Sequence, residues 1–210
     1  MIEIKHVTKT IHGQTVLSDI SLGLKYGTAM GLSGANGSGK TMLMRIACGL
    51  VQPSTGAVVI DGEPLNPAHP FPQSVGILIE EPAFLPGCTG YDNLKLLADI
   101  KGVTTDDDIR CAIERVGLNP HDRKRYRAYS LGMKQRLGIA AAIMEKPTFI
   151  LLDEPTNALD EDGEELLRGI VLEEKARGAA ILVSSHDSEV LKAVADQIIR
   201  LKAGSIVEQG

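Results

Sequence analysis

The sequence predicts an α/β fold with an open, mostly parallel sheet, an N-terminal antiparallel β subdomain and a helical insertion. Three short apolar runs without alternation, at residues 75–79, 149–152 and 179–183, are typical of parallel strands buried on both faces. Helical patterns lie between these runs, as expected for crossovers in a parallel sheet. We therefore expect residues 1–210 to form one domain, with a helical subdomain inserted at 84–140.

The N-terminal segment alternates between apolar and polar residues with period two. This pattern is typical of antiparallel strands that keep one face in solvent. A short strand at 57–60 ends at Asp61-Gly62, which is a hairpin signal. The residues expected to share one face of the second strand are Val16, Ile20, Leu22 and Leu24.

Two segments of the insertion, 91–100 and 105–116, show helical spacing of apolar residues. Thr104 or Thr105 can cap the second helix. Asp106, Asp107 and Asp108 would then occupy its first turn, where negative charge suits the helix dipole.

The most specific motif is a phosphate-binding loop that matches G-x-x-x-x-G-K-[ST] at every defined position. Its residues are Gly34, Ala35, Asn36, Gly37, Ser38, Gly39, Lys40 and Thr41. Glycines let main-chain N–H groups turn toward phosphate oxygens, Lys40 can reach the β- and γ-phosphates, and the Thr41 hydroxyl can bind Mg²⁺. A strand at 28–32 and a helix at 42–48 flank the loop. The sequence thus predicts a P-loop NTPase core that binds a nucleoside triphosphate with Mg²⁺.

Polar side chains follow two of the buried strands. Asp153 and Glu154 end the run at 149–152, where Asp153 would hold Mg²⁺ and Glu154 could polarise an attacking water. His186 follows the run at 179–183, at the strand end where open α/β sheets bind ligands. We expect His186 to contact the γ-phosphate and orient the water, although a lone histidine can also be structural.

Composition excludes several classes of protein. A net charge of −5 argues against nucleic acid as the main partner. Three cysteines without C-x-x-C spacing indicate neither a disulfide framework nor zinc, and no metal beyond Mg²⁺ is expected. The N-terminus lacks a signal-peptide pattern, and no apolar run approaches the ~20 residues of a membrane span. The basic cluster at 121–127 is either a solvated loop or a patch for an acidic partner.

Two further segments make the chain resemble the ATP-binding cassette (ABC) family, the ATPase subunits of ABC transporters. Residues 129–136 resemble the family signature, commonly L-S-G-G-Q, and residues 157–160 resemble the loop after the catalytic carboxylate. The resemblance implies that two ATP molecules lie between two ABC ATPase subunits, identical or different. Each P-loop then faces the partner's signature, here Ser130, Leu131, Gly132 and Met133. Asn157 and Asp160 would belong to the dimer loop.

The resemblance also implies roles and a location. Glu154, His186 and Lys40 would be catalytic, while Thr41, Asp153 and Glu80 would surround Mg²⁺. An integral membrane permease subunit would hold the ATPase on the cytoplasmic face of the membrane. Ser130 can also be an ordinary cap of the helix that starts near Leu131.

Three positions depart from the family pattern. Glu80 stands where the family usually has Gln, and it is either a Mg²⁺ ligand or part of a surface pair with Glu81. Leu131 and Met133 replace Gly and Gln of the common signature. At the position where the family often has an aromatic residue that stacks on adenine, this chain has Ile11 and His12. We expect either that His12 stacks on the base or that stacking is absent and Ile11 or Val16 packs against the base instead.

The amino-acid sequences of residues 80–94 and 129–135 are similar to those of ATPases of bacterial bacitracin and lantibiotic exporters. This implies export of an antimicrobial peptide or drug by a separate membrane subunit. That subunit would dock in a groove including Phe84 and Leu85, unless these residues are plain core. The alternative is a soluble ABC-type ATPase without a membrane partner, for example in iron–sulfur assembly. A non-hydrolysing nucleotide binder is opposed by the intact Lys40 and Glu154.

Overall fold

The computed structural model describes residues 1–209, which form two β-sheets and six α-helices. The strands are β1 (Ile2–Ile11), β2 (Gln14–Leu24), β3 (Ala29–Ser33), β4 (Thr55–Ile60), β5 (Glu63–Pro64), β6 (Val75–Leu78), β7 (Phe149–Asp153), β8 (Ala180–Ser185), β9 (Gln197–Lys202) and β10 (Ser205–Gln209). The helices are α1 (Lys40–Ala47), α2 (Gly90–Lys101), α3 (Asp106–Arg115), α4 (Leu131–Ile143), α5 (Glu161–Ala176) and α6 (Ser188–Val194).

One sheet is antiparallel, with strand order β2-β1-β4-β5, and the other is mostly parallel, with order β10-β9-β3-β8-β7-β6. In the second sheet only the β9–β10 pair is antiparallel. Between β6 and β7 the chain forms α2, α3, a 3₁₀ turn at Tyr126–Ala128 and α4. The predicted α/β class, with its antiparallel region and its parallel core, is confirmed.

The parallel sheet is apolar on both sides because a separate core packs on each face. Along β7, Phe149 and Leu151 join the core that contains α1 and the antiparallel sheet. Ile150 and Leu152 join the other core, which contains α4 and α5. A strand with two buried faces must be apolar at every position, which explains the unbroken run in the sequence.

The regular alternation expected for β2 is wrong at Val16. Leu17 is fully buried and Val16 is only half-buried, while Ile20, Leu22 and Leu24 do face the core. The pairing shifts between Val7↔Ile20 and Lys9↔Leu17, which marks a β-bulge. A bulge inserts an unpaired residue and exchanges the faces of the residues before it, so Leu17 turns inward.

Helix caps lie where the sequence places polar residues. Thr105, rather than Thr104, caps α3 through a capping box with Asp108. Ser130 caps α4, accepting a hydrogen bond from the N–H of Met133 at 3.2 Å. Within residues 1–209, no helix combines the length and the hydrophobicity that a membrane crossing requires.

Gly76 is needed for the close approach of β6 to α4. A Cβ at this position would lie 1.8 Å from the carbonyl oxygen of Ala142. We predict that Gly76→Ala destabilises the fold by about 1–3 kcal/mol, the usual cost of overpacking. Thermal or denaturant unfolding measures this.

Gly169→Ala is the matched control, because a Cβ at Gly169 on α5 has no atom within 4 Å. There the added methyl should stabilise the helix by up to about 1 kcal/mol. Equal unfolding midpoints for the two variants would contradict the packing argument.

Candidate active site

The loop between β3 and α1 depends on glycine at two crowded positions. Gly34 and Gly39 have φ values of 149° and 108°, a region that L side chains rarely adopt. A Cβ at Gly34 would lie 2.4 Å from the carbonyl oxygen of Leu201, and one at Gly39 would lie 2.7 Å from Leu17. The loop is therefore wedged between β2 and β9, with the start of α1 behind it.

Lys40 crosses the mouth of this loop. Its side chain is buried, and Nζ donates a hydrogen bond to the carbonyl oxygen of Gly34 at 2.7 Å. The same Nζ lies 3.3 Å from Oε1 of Glu154. The structure thus brings together two predicted catalytic residues that are over a hundred positions apart in sequence.

Asp153 is held from two sides at the end of β7. The Thr41 hydroxyl donates a hydrogen bond to Oδ2 at 2.7 Å, and the Ser184 hydroxyl donates to Oδ1. The latter contact follows from the parallel register, which places Asp153 opposite Ser184. The sequence contained Ser184 beside His186, but the pairing of β7 with β8 is what gives it a role.

Glu154 is the most constrained residue of the site. Its φ of 47° is left-handed, and its N–H donates to both the carbonyl oxygen and Oγ of Ser184. Oε2 accepts from the N–H of His186 at 3.2 Å and lies 2.9 Å from Nδ1 of the same residue. The carboxylate therefore points at Lys40 and His186, and its orientation is fixed by both backbone and side-chain contacts.

Buried atoms without partners show that these residues fit a magnesium nucleotide. Within residues 1–209, Ser38 Oγ is buried without a hydrogen-bond partner, and buried Glu154 Oε1 makes no hydrogen bond, its one close contact being the ion pair with Lys40. Ser38 Oγ lies in the phosphate loop, and Glu154 Oε1 lies beside Lys40. Thr41 and Asp153 offer adjacent hard oxygen ligands of the kind that Mg²⁺ prefers.

A cavity of about 790 Å³ adjoins the loop. It is bounded by loop residues 33–38, by His186 and by the β9–β10 hairpin with Arg200 and Lys202. A second cleft of about 420 Å³ lies on the other side of Glu154 and includes Glu80, Leu131 and Asn157. Glu154 lines the second cleft together with Asp153 and Lys134, whereas the first cavity contains Arg200, Lys202 and Glu208.

The signature residues lie at the start of α4, where Ser130 and Leu131 are exposed and Met133 packs partly against the core. Ser130 is exposed, Leu131 is 69% exposed, and Gly132 and Met133 are half-buried. A Cβ at Gly132 would lie 2.9 Å from the carbonyl oxygen of Ala158. This helix N-terminus is accessible to an anion from outside the chain.

The predicted dimer loop is tied to both α4 and α5. The N–H of Asn157 donates to the carbonyl oxygen of Glu154, and Asp160 caps α5 by accepting from the N–H of Gly163. Asp160 also accepts from the Arg136 guanidinium at 2.6 Å. The hydrogen bond from the N–H of Gly163 is the larger cause, and that from Arg136 the smaller, of a pKa of Asp160 below its usual value.

Glu80 lies in a left-handed conformation after β6, with φ of 62°. Its carboxylate forms an ion pair with Arg45 on α1, a partner that the sequence analysis did not identify. It shares the second cleft with Asp153 and Glu154. Its assignment as a Mg²⁺ ligand stays a prediction.

The three candidate adenine contacts occupy different environments. Ile11 ends β1, and His12 is exposed in the turn that follows, with φ of 47°. Val16 is half-buried, and its carbonyl oxygen would lie 3.3 Å from a Cβ at Gly39. None of the three lines the larger cavity among the described residues, and their role stays a prediction.

The C-terminal hairpin is a part of the site that sequence reasoning missed. The N–H of Gly204 donates to the carbonyl oxygen of Ser38, and the N–H of Ser18 donates to the carbonyl oxygen of Gly204. A Cβ at Gly204 would lie 2.3 Å from the carbonyl oxygen of Val16. These contacts are made by main-chain atoms, which every residue type has. The glycine at the turn is therefore the one feature of the sequence that could have indicated them.

Comparison with known proteins identifies the family of the chain. A family model described as ABC transporter matches residues 17–157, which is more than half of the chain. The chain belongs to the ABC transporter family. It is therefore the ATP-binding subunit type of that family, and it binds and hydrolyses ATP.

Relatives and solved structures agree with this assignment. The chain is 46% identical to an uncharacterized ABC transporter ATP-binding protein, YybJ of Bacillus subtilis, over 98% of the chain and 94% of the relative. It is 39% identical to the bacitracin transport ATP-binding protein BcrA of Enterococcus faecalis, over 100% of the chain and 68% of the relative. It is 34% identical to the lantibiotic transport ATP-binding protein SrtF of Streptococcus pyogenes, over 99% of the chain and 89% of the relative.

A dimeric post-hydrolysis structure of an ATP-binding cassette, bound to ADP and Pi, has a TM-score of 0.89 at 26% identity and covers 100% of this chain and 98% of that one. The resemblance to ABC ATPases is thus confirmed. Bacitracin and lantibiotic ATPases are indeed among the relatives.

Ser184 should be necessary for placing Asp153 in this ABC ATPase. We predict that Ser184→Ala lowers stability by about 1–3 kcal/mol, because a buried carboxylate loses a hydroxyl donor. Steady-state ATPase activity should fall with it. Ser184→Thr keeps the hydroxyl and should retain more activity; equal activity of Ser184→Ala and the unmodified chain would contradict the assignment.

Proposed function

We propose that this ABC ATPase drives export through a separate membrane permease by hydrolysing Mg-ATP between two cassettes. The observation that carries the proposal is the setting of Glu154, whose carboxylate lies between Lys40 and His186 at the edge of the phosphate loop. The names of the bacitracin and lantibiotic relatives support transport, and export is the direction that the resemblance of the sequence implies.

In this mechanism, loop N–H groups and Lys40 hold the β- and γ-phosphates, and Thr41 with Asp153 holds the metal. Mg²⁺ held by these two residues would supply positive charge to offset the charge that develops on the phosphates. Glu154 accepts a hydrogen bond from the attacking water and polarises it. His186 orients the carboxylate and contacts the γ-phosphate from the end of β8.

The second cassette completes each site. The N-terminus of α4 is exposed and capped by Ser130, so free N–H groups can meet a phosphate held by another chain. Leu131 and Met133 occur where the common signature has Gly and Gln, which changes side chains but leaves these N–H groups in place. The dimeric cassette structure supports this arrangement.

A groove beside the second cleft fits the permease. It has a volume of about 370 Å³ and includes Leu50, Ile77, Phe84 and Leu97. Leu50 is more than half exposed, and Phe84 is half-buried against Tyr126. Leu85 is also more than half exposed, but it does not line this groove. Phe84 thus belongs to both core and groove. Exposed apolar surface of this kind favours a docked partner over the soluble ATPase alternative.

Glu154→Gln should abolish turnover while leaving nucleotide binding intact. The amide keeps the shape of the side chain but cannot polarise water as a carboxylate does, so ATPase activity should fall by at least about 100-fold. Because the binding groups remain, the variant should form an ATP-dependent dimer that size-exclusion chromatography detects. The unmodified chain in ADP is the control, and a monomeric variant in Mg-ATP would contradict the shared site.

Glu80→Gln should retain or raise ATPase activity. The amide removes a negative charge near the phosphates and can still accept a hydrogen bond from Arg45. Steady-state assays over a range of Mg²⁺ concentrations measure the effect. A loss greater than about tenfold, or ~1.4 kcal/mol, would show that the carboxylate itself is required.

A further inference from the structure

A buried glutamine on α4 contacts the main chain that carries the catalytic carboxylate. Gln135 is 8% exposed, and its Nε2 donates a hydrogen bond to the carbonyl oxygen of Pro155 at 3.0 Å. The same Nε2 lies 3.4 Å from the carbonyl oxygen of Glu154. One side-chain amide therefore serves two consecutive carbonyl groups just after β7.

Hydrogen bonds to these carbonyl groups help to hold Glu154 in its left-handed backbone conformation. A non-glycine residue in the left-handed region persists only where its surroundings hold it there. The N–H side of Glu154 is held from β8 by Ser184. On the carbonyl side, the Glu154 oxygen accepts from the N–H of Asn157 within the same turn and, at 3.4 Å, from Gln135 on α4. Gln135 is also the donor to the next carbonyl, that of Pro155, so β8 and α4 hold this segment from opposite directions.

We propose that Gln135 is a positioning residue for hydrolysis, which acts by fixing the main chain at 154–155. The inference rests on the proposed role of Glu154 in polarising water. Gln135 lies on α4, the helix capped by Ser130, so the helix that faces the partner's nucleotide also positions the catalytic carboxylate of its own chain.

This role makes a prediction that simple packing of α4 does not. If Gln135 only stabilised the fold, its loss would lower stability and affect all steps alike. If it places Glu154, its loss lowers kcat while KM and nucleotide affinity stay nearly constant, because the phosphate loop is untouched.

Gln135→Met tests this in the full chain, because methionine has similar length but no hydrogen-bond donor. We expect kcat to fall at least about tenfold, since small displacements of catalytic groups are costly. KM and the Kd for a fluorescent ATP analogue should change less than about threefold, a change worth under ~1 kcal/mol. Gln73→Met is the matched control, because Gln73 is exposed and lies outside both clefts.

A second variant guards against a folding defect. Gln135→Glu keeps shape and volume but replaces the donor by an acceptor, so at neutral pH it should show the same loss of kcat. Circular dichroism and thermal melting establish that each variant is folded. If both variants fail to fold, Gln135 maintains the fold and the proposal is overturned.

The dimer provides an independent readout. In a Glu154→Gln background, adding Gln135→Met should leave the ATP-dependent dimer intact, because that background already lacks hydrolysis and only binding remains. Loss of the dimer would assign Gln135 to binding and overturn the proposal.

In the kinetic assay, an unchanged kcat for Gln135→Met would also overturn the proposal. If the unmodified chain itself had no ATPase activity, the proposed function would be overturned instead.

Discussion

The parallel pairing of β3, β8 and β7 is the constraint on which the rest of the site depends. In this register Ser33 lies opposite Ser185, and Asp153 lies opposite Ser184. Every residue that follows these strands is therefore delivered to the same edge of the sheet. A shift of one residue in either pairing would turn Asp153 to the other face and separate it from Thr41.

The site is built mostly from main-chain geometry. Gly34 and Gly39 let the loop pass between β2 and β9, and the turn at Gly204 closes against the loop from the other side. Glu154 adopts a left-handed conformation because Ser184 and Gln135 bind its N–H and carbonyl groups. Such strain is commonly found at functional sites, where surrounding contacts maintain it.

Different charged groups lie on the two sides of Glu154, the predicted catalytic carboxylate. On the side of the phosphate loop, Lys40 faces Glu154 and the cavity contains Arg200 and Lys202. On the other side, the charge of Glu80 is offset by Arg45, which is anchored on the helix that follows the loop. The position where the family usually has Gln is thus linked to α1, the helix that also carries Lys40 and Thr41.

The fold class, the phosphate loop, the positions of Asp153, Glu154 and His186 after buried strands, and the family can all be predicted from the amino-acid sequence. These features are local: each is a pattern of consecutive residues whose chemistry does not depend on distant contacts. The contacts of Ser184, Gln135, Arg45 and Gly204, and the bulge that turns Leu17 inward at the expense of Val16, are seen only in the folded chain. They join segments that are far apart in sequence, through strand register, through hydrogen bonds to main-chain groups that are the same for nearly every residue type, and through an ion pair between α1 and the end of β6.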